Sequence, residues 1–179
     1  YWFPCHDAPN DRATFRIAAR VPAKYVAISN GKLESIDEHP DTGERTFHYH
    51  EAVPFPAYIA TLAVAEFSEI RDQFGETPVQ YFVRPGFEEH ARLMLRDTPA
   101  MMAYYSERFG VRYPYEKYAQ VILEDFTGAM ENTSATSHSW LLMPDQKDFV
   151  DWDRKSVVAH ELVHQWFGDL LTCRDWAQA

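Results

Sequence analysis

Cysteine is scarce in this chain: Cys5 and Cys173 are the only two in 179 residues. Neither sits at a spacing that holds zinc, so a Cys-ligated zinc module is excluded. Both read as reduced thiols packed as small hydrophobes, with a single bridge between them left open. Long apolar runs are missing too. The longest near-apolar stretch, Ala57 to Ala65, is nine residues, too short for a membrane-spanning helix. Tyr1 to Asp7 has no basic segment leading into an apolar one, so it is not a signal peptide. With no initiator Met, the chain reads as one that begins in mid-protein. Positive charge is in deficit, 17 Lys+Arg against 27 Asp+Glu, and the net charge of −10 argues against a nucleic-acid partner. Two free thiols with no signal or transmembrane segment favour a cytoplasmic location. Oligomeric state is not legible.

Apolar residues make up 46% and charged residues 25%, near the averages for a soluble globular protein, which excludes disorder and collagen-like structure. The first part reads as β. Ala13 to Val21 alternates, and Tyr25 to Ser29 and Lys32 to Ile36 flank Asn30-Gly31, a strong hairpin signal because both turn positions favour positive φ. Arg45 to His50 resumes the alternation after Asp41-Thr42-Gly43. Tyr58 to Phe67 and Val79 to Val83 are further strand candidates between prolines. The character changes at Arg84-Pro85-Gly86. Phe87 to Phe109 has helical spacing, broken or kinked by Pro99. Gln120 to Leu123 reads as a short buried strand, and Asp153 to Phe167 as a helix closed by Gly168, with Asp151 or Asp153 as N-cap. The expected class is α+β, an all-β part over 1–86 followed by an α/β part over 87–179. Their charges of −4 and −6 mark no acidic tail.

The last helix carries His160-Glu161-Leu162-Val163-His164, an HExxH pattern. At about 100° per residue, His164 lies roughly 40° around the helix from His160, so both imidazoles can reach one metal. Glu161 is offset by about 100° from His160, which keeps it off the metal yet near the attacking water. Val158, Leu162, Val163, Trp166 and Phe167 cover much of the remaining circumference, so the helix should be buried. A catalytic zinc needs three protein ligands and an open position. Leu170 stands where a metzincin has its third His, and that class is rejected. Asp169 and Asp175 are the only oxygen ligands after His164, and neither suits the role.

Gly128-Ala129-Met130-Glu131-Asn132 ends 28 residues before His160. Together the two motifs resemble the zinc aminopeptidases of the aminopeptidase N and puromycin-sensitive aminopeptidase type. The resemblance runs along almost the whole chain, through Phe3-Pro4-Cys5-His6-Asp7-Ala8-Pro9, Ser29-Asn30-Gly31, Tyr113 to Tyr118, Gly128 to Asn132, and His160 to Gly168. It implies the end of an all-β N-terminal domain over 1–86 and the start of a thermolysin-like catalytic domain over 87–179. It also implies one Zn2+ per site on His160 and His164, Glu161 as general base, and Glu131 binding the substrate's α-ammonium. The backbone of Gly128 and Ala129 would pair with the peptide as an added strand, with Met130 and Asn132 completing the substrate-binding segment. The implied third ligand, a Glu in a Trp-Leu-Asn-Glu-Gly segment, would fall just past Ala179. The implied catalytic Tyr would come later still, so the isolated chain is expected to retain little zinc and to be inactive.

The resemblance implies peptide substrates with a free N-terminus. Two alternatives remain, a relative that also opens an epoxide, of the leukotriene A4 hydrolase type, and a catalytically silent scaffold. Outside the motifs, His48 and His50 share one strand face and read as half-exposed, and His138 reads as an ordinary loop or surface residue. Tyr113 to Tyr118 reads as aromatic packing. Asp145, Asp148, Asp151 and Asp153 form an acidic run before the last helix.

Overall fold

Alternation at period two in Arg12–Pro22 (β1) and Glu44–Pro56 (β4) builds a long antiparallel ladder, and Lys32–His39 (β3) completes a three-stranded sheet in the order β1-β4-β3. The computed structural model describes residues 2–143 and 155–178. The proposed N-caps Asp151 and Asp153, with Asp145 and Asp148, lie outside them. On β4 the outward His48 and His50 pair with acids of β3, His48 Nε2 with Asp37 at 2.8 Å and His50 Nδ1 with Glu34 at 3.3 Å. That is the half-exposed strand face the alternation predicts.

Asn30-Gly31 does not close a hairpin. Val26–Ser29 (β2) pairs with Leu62–Ala65 (β5), while β3 pairs with β4, so the chain changes sheets at this dipeptide. Gly31 has φ +76°, but Ser134 is the only non-glycine with positive φ among the described residues, so Asn30 lacks the conformation a type I′ turn requires. Asn30 is buried instead and spends its amide on tertiary contacts. Nδ2 donates to Ile59 O at 3.1 Å and Thr133 O at 2.6 Å, and Oδ1 accepts from Thr61 N at 2.7 Å.

A five-stranded sheet runs Ser68–Phe74 (β6), Thr77–Val83 (β7), Tyr118–Leu123 (β8), Ala135–Ser139 (β10) and Ala129–Met130 (β9), in the order β6-β7-β8-β10-β9. Strands β7, β8 and β10 are parallel, and β6 and β9 are antiparallel edges. The buried central strands are nearly all covered, as parallel strands require. Two helices, Glu88–Leu95 (α1) and Thr98–Phe109 (α2), follow β7. The break falls at Arg96-Asp97, which puts Pro99 in the first turn of α2, where its missing N–H has no helical partner to lose.

The third helix, Lys155–His164 (α3), packs on this frame through Val158 and Leu162, both fully buried, with Trp166 just beyond its end. Trp166 meets the rings of Tyr105, Phe109 and Tyr113 and donates through Nε1 to Val111 O at 2.9 Å. Full burial of a side chain of this size contributes roughly 2 kcal/mol. One face of α3 is therefore fixed by the core, and the other faces outward. Phe167, expected inside, is half exposed because the helix ends at His164 and the chain turns away.

Both cysteines are free, as expected, but they are not packed as hydrophobes: Cys5 is exposed and Cys173 partly so. No helix among the described residues is long and apolar enough to cross a membrane. Mixed sheets and separate helices make the fold α+β.

Candidate active site

The cleft lies between the edge strand β9 and the outward face of α3. Gly128, Ala129, Leu142, Ser156, Val157, His160 and Glu161 line a cavity of about 410 Å3. Among the described residues strand β9 hydrogen-bonds only to β10, through Met130 opposite Ser137 and Ala129 opposite His138. Its other edge pairs with no described strand, the arrangement that lets an extended peptide add a strand. Gly128 O accepts from Ser139 N at 2.8 Å, anchoring the strand's start.

On α3, the Nε2 atoms of His160 and His164 stand 3.0 Å apart. His164 Nδ1 lies 2.9 Å from Phe167 O, and a carbonyl only accepts, so Nδ1 carries the proton and Nε2 keeps its lone pair. Two imidazole nitrogens on one tetrahedral zinc, at about 2.0–2.1 Å each, stand about 3.3 Å apart. The pair is close to that spacing on an exposed helix face, and His164 has the tautomer a metal ligand needs. These residues fit a zinc ion. No group of three or more His, Cys, Asp or Glu that could hold a metal occurs among the described residues.

Glu161 is buried and lines the same cavity as His160. Burial raises its pKa to about 7, and the nearby charge of Glu131 adds to the rise. Glu131 is half-buried at the end of β9. Burial raises the pKa of Tyr58 to about 12, and the same Glu131 charge adds to the rise, so Glu131 lies near Tyr58 as well as Glu161. Asn132 is buried and faces inward. Its Oδ1 accepts from Ser137 Oγ at 2.9 Å, which holds the segment after β9 to β10.

Some of the arrangement was not legible in the sequence. Asp169 is fully buried, neither of its carboxylate oxygens has a hydrogen-bond partner among the described residues, and burial holds its pKa well above the usual carboxylate range. It is not near enough to complete a metal cluster with the histidines. Gln165, next after His164, is fully buried and bonds across to residues 131–134. Its place within the His160-to-Gly168 block was the available signal. His138, read as a surface residue, lies wholly buried in the central strand β10 beside Gln120 and Thr136. Burial lowers its pKa to about 4. Five consecutive small or polar residues, Ala135 to Ser139, concealed a central strand, because β propensity is weaker than the burial that a central position imposes.

Residues 1–59 match the Peptidase M1 N-terminal domain, and residues 94–179 match the Peptidase family M1 domain. "Probable aminopeptidase 2" of Sulfurisphaera tokodaii is 34% identical over 179 residues, covering 98% of this chain and 23% of the relative. Human "Glutamyl aminopeptidase" is 36% identical over 183 residues, covering 97% of this chain and 19% of the relative. "Aminopeptidase 2, mitochondrial" of Saccharomyces cerevisiae is 31% identical over 179 residues, with 97% and 18% covered. The chain spans about a fifth of the length of these curated relatives.

Proposed function

The chain belongs to the peptidase M1 family, and from that premise we propose that the protein carrying it is a zinc aminopeptidase, which hydrolyses the N-terminal residue from peptides. His160 and His164 hold the zinc. When bound, zinc polarises the scissile carbonyl and acidifies the attacking water. Glu161 takes the proton from that water and returns it to the leaving amine, a role suited to a carboxyl whose pKa lies near the working pH. Glu131 holds the substrate's α-ammonium, and the open edge of Gly128 and Ala129 aligns the peptide backbone. Met130 and Asn132 fix that segment on either side of the ammonium site.

One observation carries this reading. Glu131 directly follows β9, whose Ala129, with Gly128 before it, lines a cavity with Glu161, and it lies close enough for its charge to oppose ionisation of Glu161. A cation between them relieves that repulsion, and a free N-terminus is a cation one residue away from the bond to be cut. An endopeptidase has no use for the arrangement, because its substrates are uncharged amides at that point.

The test is Glu131→Ala in the zinc-loaded whole protein, assayed on a free-amine peptide and its N-blocked counterpart. The Michaelis constant for the free amine should rise by about tenfold or more, as expected for loss of a charge-assisted contact, with little change for the blocked peptide. Equal cleavage of both peptides before and after the change would reject the assignment.

A further inference from the structure

Gln165 sits one residue beyond His164, and its amide is committed at both ends. Nε2 donates to Glu131 O at 3.2 Å, while Oε1 accepts from Ser134 N at 2.7 Å and from Tyr113 Oη at 3.4 Å. A primary amide both donates to a carbonyl and accepts from an N–H with one planar group. The residues it spans form a tight turn in which Ala135 N donates to Asn132 O at 3.0 Å and Ser134 takes φ +58°.

That turn is gripped from its far side by the β strands. Ser134 Oγ donates to Glu51 Oε2 at 2.9 Å and accepts from Gly31 N at 2.7 Å. Ser134 O accepts from Lys117 Nζ at 3.0 Å and Ala119 N at 2.9 Å, and Thr133 O accepts from Asn30 Nδ2 at 2.6 Å. The turn cannot shift toward the β strands or away from them without breaking several buried bonds. Gln165 supplies a side-chain link from this anchored turn to the residue that follows the second histidine.

Resting on the aminopeptidase reading, we propose that Gln165 is a positioning residue: by tying Glu131 and Ser134 to the end of α3, it fixes the ammonium-holding carboxylate relative to the His160–His164 pair and so sets how strictly the site demands a free N-terminus. It touches neither substrate nor metal. A leucine here leaves the Ser134 N–H and the Glu131 C=O unpaired; Ser134 is still held by its other bonds, so it is the Glu131 end of the segment that is freed to move. A glutamate keeps an acceptor for Ser134 N but turns an oxygen toward Glu131 O, releasing that one tether. Displacements on the order of 1 Å at a reacting geometry cost up to about a hundredfold in rate.

The experiment compares the zinc-loaded whole protein with its Gln165→Leu and Gln165→Glu variants. Each is assayed on an aminoacyl anilide and on the des-amino analogue that lacks only the ammonium, with zinc content measured in parallel. The readout is the ratio of kcat/KM for the two substrates, which does not depend on the fraction of molecules that fold. The wild type should favour the free amine strongly. In both variants the ratio should fall by about tenfold, through a raised KM for the amine substrate, with kcat much less affected and zinc retained. If Gln165→Leu fails to fold, Gln165→Glu decides alone. An unchanged ratio in a variant that keeps its zinc overturns the positioning role and leaves the aminopeptidase reading intact. A wild type that does not distinguish the two substrates overturns that reading, and the positioning role with it.

Discussion

His160 and His164 bring their Nε2 atoms to 3.0 Å of each other, while the far nitrogen of His164 is held by Phe167 O at 2.9 Å. One helical turn supplies the first distance, and the chain's departure from α3 supplies the second. The i, i+4 spacing alone puts two rings on one face, but it does not choose which nitrogen of each ring faces the metal. The carbonyl of Phe167 makes that choice for His164.

The pair predicts a metal-dependent readout. His164→Ala in the whole protein should lower bound zinc well below one per chain after dialysis and abolish turnover, and chelation of the wild type should do the same. Zinc added back should restore the wild type but not the variant. A variant with full zinc content would show that His164 is not a ligand.

Glu161→Gln preserves shape and removes the proton acceptor. It should keep zinc while lowering kcat by roughly 10²- to 10⁴-fold, the usual contribution of a positioned base. Undiminished turnover at unchanged zinc content would remove Glu161 from the mechanism.

Gly31 and Gly43 separate backbone strain from steric overlap. Both have positive φ, +76° and +67°. A Cβ on Gly43 meets nothing within 4 Å, so Gly43→Ala should cost about 1 kcal/mol from the left-handed conformation alone. A Cβ on Gly31 would overlap the backbone of His50 and Glu51. Gly31→Ala should therefore cost about 4 kcal/mol or more, among the largest single-residue effects. Denaturant midpoints check both, and equal losses would mean that β3 and β4 separate freely at this point.

His138 predicts acid sensitivity. Its ring is buried beside Gln120 and Thr136, and its pKa is lowered from 6.5 to about 4. The folded state thus holds the ring neutral, while the unfolded chain takes up the proton as pH falls below about 6.5. Stability from this residue is intact above pH 6.5 and is lost progressively down to about pH 4, by about 3 kcal/mol in all. Replacement His138→Gln should flatten the pH dependence of the unfolding free energy across that window. An identical slope in variant and wild type would place the acid sensitivity elsewhere.

The sequence by itself determined the local elements whose periodicity was strong. These are the alternation of β1, the turn at Asp41-Thr42-Gly43, the helical stretch of α1 and α2, and the metal-spaced histidines of α3. The reason is physical. Spacing of 2 or 3.6 residues fixes which side chains share a face before any long-range contact forms. Tertiary structure decided what each edge and dipeptide was used for. Asn30-Gly31 carries a strong hairpin signal, yet Asn30 gains more from three buried hydrogen bonds to Ile59, Thr61 and Thr133 than from a turn. Ala135 to Ser139 has weak strand character and is nevertheless a central strand, because its neighbours β8 and β9 satisfy the backbone and the burial follows. The meeting of Glu131 with Glu161, and the Gln165 bridge between their segments, joins residues about 30 positions apart. No local pattern encodes such a pairing. It exists only once the sheet and α3 pack on the same core.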